Sequence, residues 1–293
     1  MTTTAANAIT SSATAAISAI LGNIKYDILA RSQKIPELEL QELSELKRKK
    51  LLSIIIPVFN EANTVDILLK KIYDKELTNL NKEIIIIESN SEDGTREKIL
   101  KYQNKPNVKI ILEDRARGKG HAVRQGLLHA SGDFIIIQDG DLEYDLNDYD
   151  QLLEPLIKEE NTFVLGSRHV KGGKIRQFET QPIRALIMNW GHIFFTFIFN
   201  FFCKSNLKDP FTMFKVFRRD CIYNINFSAN RFDFDWELVI KLLRKGYLPI
   251  EIPVNYKSRS FVEGKKIMFF KDSISWIIGV VKFRFGRLYV DKY

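Results

Sequence analysis

From residue 51 onward the chain repeats one pattern: a short apolar run, a polar loop, then apolar positions at helical spacing. The runs are LLSIIIPV (51–58), EIIIIE (83–88), VKIIL (108–112), DFIII (133–137) and TFVLG (162–166). Strands that are apolar at consecutive positions are covered on both faces, which points to a mainly parallel sheet. Helical patterns fall between them, over roughly 62–75, 95–103, 119–130 and 148–158. Strand alternating with helix predicts an α/β fold, with helices flanking a mainly parallel sheet.

Three other stretches break that pattern. Residues 1–50 open with sixteen that are mostly Thr, Ala and Ser. Ile17, Ile20, Leu21, Ile24, Ile28 and Leu29 then recur at helical spacing, and the stretch closes on KRKK; it is expected to be a helical, partly disordered extension. Between Arg184 and Lys204 lie 19 residues without a formal charge. A spanning helix needs about 20 mostly apolar residues. Here Asn189, His192, Thr196 and Asn200 fall on one helical stripe, leaving a broad aromatic side. The expectation is a helix lying in a membrane interface or against a partner, with a core helix as the alternative. In the tail, Phe270, Ile274, Ile277, Val281 and Phe285 recur at helical spacing among Lys271, Lys282, Arg284 and Arg287. That predicts a basic amphipathic helix over 267–293, suited to an anionic membrane surface.

Composition adds one constraint. The formal net charge is +8, and residues 204–293 hold 18 Lys and Arg against 9 Asp and Glu. Anionic headgroups, phosphorylated substrates and nucleic acid would all answer to such charge. No recognition module accompanies the basic residues, so nucleic acid is not expected. Two cysteines, Cys203 and Cys221, make no disulfide framework, and no basic region precedes the first apolar residues as in a secretory signal.

Against this basic background, FIIIQDGDLEYDLNDYD (134–150) concentrates carboxylates after an apolar strand. Ligands of open parallel sheets bind beyond the carboxyl ends of the strands. Three polar loops lie there, at 59–64, 89–95 and 138–145, and are expected to converge on one crevice. Asp139 and Asp141 stand two residues apart on a turn that Gly140 permits, with Glu143 following at the same interval. Such oxygen donors suit Mg²⁺ or Mn²⁺, which keep coordination positions for substrate phosphates. Taken alone, the pattern is equally a solvated turn or a helix N-cap. The four histidines, His121, His129, His169 and His192, show no ligand spacing.

Eight segments, in order over about 52–266, carry a resemblance: IIIPVFNEANT, IIIIESNSEDGT, RGKGHAVRQGLLHASGD, QDGDLEYD, VLGSR, KDPFTMFKVFRR, FDFDWELVIKLLRKGY and EIPVNYKSRSFVEGKK. Together they resemble family 2 glycosyltransferases of the GT-A fold, and among them the polyprenyl-phosphate sugar synthases typified by dolichol-phosphate mannose synthase. The resemblance implies a GT-A domain over 51–266. It implies that Pro57, Phe59 and Glu61 line a nucleotide pocket, and that Asp139 and Asp141, helped by Glu143, hold a divalent ion and the donor diphosphate. Lys119 resembles the basic residue of a Gly-rich loop near the donor. Arg168 and Arg259 resemble arginines that grip the acceptor or diphosphate. Glu88 and Ser89 stand where many members have an Asp pair facing the base or ribose, a departure that leaves the base open. Asp235 takes the acidic position used as a base by members that modify hydroxyls.

The implied activity is an inverting, metal-dependent transfer of sugar from a UDP- or GDP-sugar to a polyprenyl phosphate. A lipid phosphate is already a nucleophile, whereas a hydroxyl would need Asp235 to take its proton. Transfer to a sugar hydroxyl of a lipid-linked glycan, and a non-catalytic nucleotide- or glycan-binding module, remain open beside it. The expected location is peripheral, at the cytoplasmic face of a membrane, with a homo-oligomer or a membrane-protein partner also open.

Overall fold

The computed structural model describes residues 48–168, 182–258 and 278–290. All but the first two belong to one compact unit, Lys50–Tyr293. Expectations for residues 1–47, for Arg259 and for 267–277 lie outside the described residues.

Seven strands form one sheet: β1 (Leu51–Val58), β2 (Asn81–Glu88), β3 (Val108–Leu112), β4 (Phe134–Ile137), β5 (Phe163–Ser167), β6 (Lys215–Arg218) and β7 (Ile250–Pro253). Their order is β3-β2-β1-β4-β6-β5-β7. The β1–β2, β2–β3, β1–β4 and β5–β7 pairs are parallel. Ile54 pairs with Ile84 on one side and Ile136 on the other. Seven of the eight β1 residues are buried, as expected of a strand covered on both faces.

Two strands were not evident from the pattern. β6 runs antiparallel between β4 and β5, and β7 is a short edge strand. Both are brief, and β6 carries a lysine where a buried strand should be apolar.

The helices are α1 (Val65–Asp74), α2 (Thr95–Leu100), α3 (Lys119–His129), α4 (Tyr149–Ile157), α5 (Pro182–Cys203) and α6 (Phe234–Arg244); residues 278–285 form α7. In α1, Val65, Leu68, Leu69 and Ile72 face the sheet, the i, i+3, i+4, i+7 stripe of an amphipathic helix. α6 differs, since every residue from Phe234 to Leu242 is buried. Its Lys241 and Glu237 are paired at 2.6 Å, which offsets the cost of burying either charge alone.

α5 is apolar on both its buried and its exposed face. Met188, His192, Phe195 and Phe199 are buried, while Trp190, Phe197 and Phe201 are 66–70% exposed. His192 of the polar stripe thus points inward. Asn200 also serves the protein: its amide brackets the following turn, donating to Leu207 O at 2.8 Å and accepting from Leu207 N at 3.0 Å. Among the described residues, the Ala185–Cys203 stretch of α5 is long and apolar enough to cross a membrane by length and composition.

Chain order reverses about β1: β2 and β3 lie to one side, β4 to the other. The β1/β4 boundary is therefore a topological switch point, where a ligand crevice opens beyond the strand ends. Val58 and Ile137 end those two strands, and Asp139 follows after Gln138.

Candidate active site

A cavity of about 630 Å³ opens at that switch point. Pro57, Phe59 and Glu61 line it from the β1 end, Ser89 from the β2 end, and Asp139, Asp141 and Glu143 from the β4 end. Lys119, Arg168 and Asp235 line it as well.

Backbone shape decides the first wall. Asn60 and Asn90 adopt left-handed φ of 51° and 58°, a region asparagine tolerates better than most residues. The two loops then interlock. Asn60 N donates to Ser91 Oγ at 2.9 Å, Glu92 N donates to Asn60 Oδ1 at 3.0 Å, and Glu61 N donates to Thr95 Oγ1 at 2.8 Å. Thr64 Oγ1 donates to a Glu61 carboxylate oxygen at 3.0 Å and lies 3.2 Å from Gly140 O, tying this wall to the acidic loop. Gly140 does not use a positive φ. A Cβ there would lie 3.2 Å from Pro57 O, so the residue is small because of its neighbour rather than its turn.

Glu88 is placed differently from its expected role. It is fully buried and absent from the cavity wall. Its carboxylate is ion-paired with Arg96 and accepts from Ser91 N at 2.6 Å, so it shapes the loop from beneath. Ser89 does line the cavity. Its hydroxyl donates at 2.6 Å to Glu113, whose other oxygen lies 2.6 Å from His121 Nδ1.

The Gly-rich loop closes the opposite side. Gly118 has φ +99°, and a Cβ there would lie 2.4 Å from Asn230 O. At Gly120 it would lie 2.6 Å from Phe234 Cβ. Only glycine allows this contact between the start of α3 and the loop before α6. Lys119 is thereby delivered onto Asp139, with which it forms an ion pair. Burial opposes the charge on Lys119, but Asp139 and then Asp235 hold its ammonium above the ordinary lysine range.

Asp141 is 7% exposed, and its Oδ1 accepts from Glu143 N at 3.0 Å. The Glu143 carboxylate accepts from the Tyr256 hydroxyl at 2.6 Å. Burial, reinforced by Glu143, keeps that phenol protonated well beyond its usual range. Among the described residues no group of three or more His, Cys, Asp and Glu forms a metal cage; Asp139 and Asp141 remain together at the wall. As hard oxygen donors they suit a divalent ion that takes its remaining ligands from water and substrate. The ammonium resting on Asp139 shows that a cation is accommodated there.

Arg168 is held by a residue without a role from the motifs. Its Nε and Nη2 donate to Asp209 at 2.7 Å each, and its backbone N donates to the same carboxylate at 3.0 Å. The guanidinium also stands over the Tyr256 ring at 5.2 Å. Such a fork fixes the plane of the group. Burial would push the Asp209 carboxyl up, but Arg168 holds it well below the usual range. Asp209 is itself positioned by Glu251, which accepts its backbone N–H at 2.7 Å. His192 Nε2, from α5, lies 3.6 Å from Asp209 Oδ1.

Asp235 lies at the start of α6, 8% exposed, with Lys215 Nζ 3.4 Å away. Burial raises its pKa, against the pull of Lys215 and Lys119. Lys215 is fully buried, and burial lowers its pKa despite Asp235. Beyond these charges the wall turns apolar: Met188 and Phe195 of α5 meet Phe211 and Trp236, whose rings stack at 4.2 Å. Asp209, Lys215, Tyr256 and the inner face of α5 are site residues that sequence reasoning missed. A lysine inside the apolar run FTMFKVF was the one available signal. Arg259 lies outside the described residues.

Comparison with known proteins agrees with this architecture. The model of Glycosyl transferase family 2 matches residues 53–225. The dolichol-phosphate mannosyltransferase of Pyrococcus furiosus is 31% identical over 73% of this chain, and the match spans 58% of that relative's length. The dolichyl-phosphate beta-glucosyltransferases of Dictyostelium discoideum and Saccharomyces cerevisiae are 30% and 31% identical, each over 81% of this chain and 75% of theirs. Glucosyl-3-phosphoglycerate synthase from Mycobacterium tuberculosis, solved with Mn²⁺, UDP and phosphoglyceric acid, shares the fold. Its TM-score is 0.57 at 18% identity, over 87% of this chain and 86% of that one. The chain belongs to glycosyl transferase family 2 and is a glycosyltransferase with the GT-A fold.

Proposed function

We propose that the protein moves a sugar from a nucleotide-sugar donor to a polyprenyl phosphate of the dolichyl type at a membrane surface, with inversion at the anomeric carbon. The observation that carries this reading is the division of one cavity. Carboxylates and cations line one part, and an apolar wall from α5 and α6 lines the other, while the outer face of α5 is exposed and apolar. A phosphate on a hydrocarbon chain needs both parts. The names of the relatives, each acting on dolichol or dolichyl phosphate, support it.

In this reading Pro57, Phe59, Glu61 and Ser89 receive the nucleoside. Asp139 and Asp141 would hold Mg²⁺ or Mn²⁺, which when bound neutralises the departing diphosphate without proton transfer. Lys119 adds its ammonium to the same phosphates. Arg168, its plane set by Asp209, keeps Nη1 for the acceptor phosphate and aims an oxyanion at the anomeric carbon. The aromatic wall excludes water, so the sugar meets phosphate rather than hydrolysis. Exposed Trp190, Phe197 and Phe201 would enter the membrane interface, with the basic residues of α7 facing anionic headgroups at its cytoplasmic side. A second reading rests on Asp235: a cavity-lining carboxylate with a raised pKa is suited to accept a proton from a sugar hydroxyl.

The test is direct. Purified protein is given UDP-glucose or GDP-mannose, Mn²⁺ and a short polyprenyl phosphate, and the organic phase is analysed for lipid-linked sugar. Product that requires the lipid phosphate supports the main reading, and Asp235→Asn, compared at matched folded fraction because it strips the buried Lys215 of its partner, should then reduce turnover only mildly. Transfer solely to glycan hydroxyls, abolished by Asp235→Asn, would replace it with the second.

A further inference from the structure

Lys119 and a divalent ion have the same preferred seat. The ammonium is paired with Asp139, the two side chains being 19% and 16% exposed, so the contact is neither sealed nor fully solvated. A divalent ion on that carboxylate would meet the ammonium at contact distance. Like charges that close repel by many times RT even at the effective dielectric of a partly wet cleft. Both cannot stay.

The surroundings provide an exit. Lysine is a compact charge on a flexible four-carbon stem, and Lys119 stands on the first residue of α3. Its Nζ lies 5.9 Å from the centroid of the Phe232 ring, which borders the same cavity as Asp235. An ammonium leaving Asp139 therefore finds a carboxylate and a π-face without entering bulk water. Glu143 reinforces the competition from the other direction. Its carboxylate is engaged by Tyr256 at 2.6 Å, so the protein offers an arriving ion mainly the two aspartates.

We infer that Lys119 is a displaceable internal counter-ion: it occupies the cation seat on Asp139 until a divalent ion arrives together with a diphosphate, which then takes over the displaced ammonium. This rests on the proposed use of a nucleotide-sugar donor with a metal. It makes binding of metal alone weak and binding of metal and diphosphate mutually reinforcing, and that reinforcement must be equal in both directions.

The experiment measures Mn²⁺ binding, not turnover. Free Mn²⁺ is followed by its paramagnetic resonance signal during titration of the full chain, with and without UDP and, separately, GDP. In the unaltered protein the diphosphate should tighten Mn²⁺ binding. Lys119→Met should bind Mn²⁺ alone about tenfold more tightly and lose most of the tightening by diphosphate. Lys119→Gln, which keeps a hydrogen-bond donor without the charge, should do the same if the methionine variant melts without cooperativity. Lys119→Arg keeps the charge and should stay within about twofold of the unaltered protein for metal alone. If the unaltered protein binds Mn²⁺ with UDP or GDP, yet both uncharged variants bind metal alone no more tightly, the counter-ion role is wrong. If the unaltered protein binds Mn²⁺ under no condition, the metal-dependent donor reading fails, and this inference with it.

Discussion

The two halves of the sheet build their share of the cavity by different means. On the β3-β2-β1-β4 side, short loops at strand ends are laced together mostly by bonds between backbone N–H groups and neutral or exposed side chains, such as Asn60 N to Ser91 Oγ and Ala62 N to Asp93, with buried Glu88, paired with Arg96, beneath them. On the β6-β5-β7 side, the groups are buried ions held by other ions: Arg168 with Asp209 and Lys215 with Asp235. The first half spreads its stability over many bonds that water could partly replace. The second concentrates it in pairs where losing one member strands the other in a low dielectric. A catalytic group can therefore be removed from the first half with little harm to the fold, whereas a positioning group removed from the second costs the fold a large share of its stability.

The largest effect separates these two costs. Asp141→Ala should lower metal-dependent transfer by at least about 100-fold with an unchanged thermal melt. Retained turnover at saturating Mn²⁺ would remove the metal role of the acidic loop. Asp209→Ala should instead cost about 3–5 kcal/mol of stability in denaturant titration, because it leaves the Arg168 guanidinium buried and uncompensated. A loss under 1 kcal/mol, on the order of an exposed pair, would erase the contrast between the halves.

Glu83 tests the contrast from within the first half, since it is a buried ion there. Burial pushes its carboxyl up, but Lys109, Ser53 and Ser131 hold it down, from an ordinary 4.5 to about 2. A depressed folded pKa means the unfolded chain takes up the proton first. The contribution is thus complete above about pH 4.5 and drains away as pH falls towards 2. Acid titration of the unfolding free energy should show that limb, and Glu83→Gln should flatten it. Ser91→Ala, by contrast, should cost only about 1 kcal/mol, the net worth of a neutral hydrogen bond. The smallest change in stability belongs to the outer face of α5. Trp190→Ser and Phe197→Ser should each shift unfolding by no more than about 0.5 kcal/mol. Both should still reduce cosedimentation with anionic vesicles, and undiminished vesicle binding would remove α5 from the membrane reading.

How much was legible follows the same division. β1, β2, β4 and β5 were readable because a strand covered on both faces is written as consecutive apolar residues, whereas β3, at the sheet edge and without a buried residue, was readable only as a short β-branched run. The helices between them were readable from one-sided burial, although α2 stops at Leu100, three residues short of the expected end. At the site, the acidic loop and Lys119 lie close to motifs that announce themselves. Asp209 lies inside the KDPFTMFKVFRR segment, but its role is not legible there, since its partner Arg168 is 41 residues away. Lys215 reads as a break in an apolar strand until Asp235 is placed beside it, and Glu88 reads as a cavity residue until Arg96 claims it.

What the chain determined by itself is whatever depends on neighbours a few residues apart: strands β1 to β5, their order of appearance, and the acidic turn that follows β4. What only the tertiary structure decided is how charges pair and which side of an amphipathic helix faces in. The polar stripe of α5 was visible, but whether it faced water or protein was settled by Asp209, Phe211 and Trp236 waiting on other elements. Burying a charge is unfavourable unless a partner meets it, and only the folded chain supplies the partner.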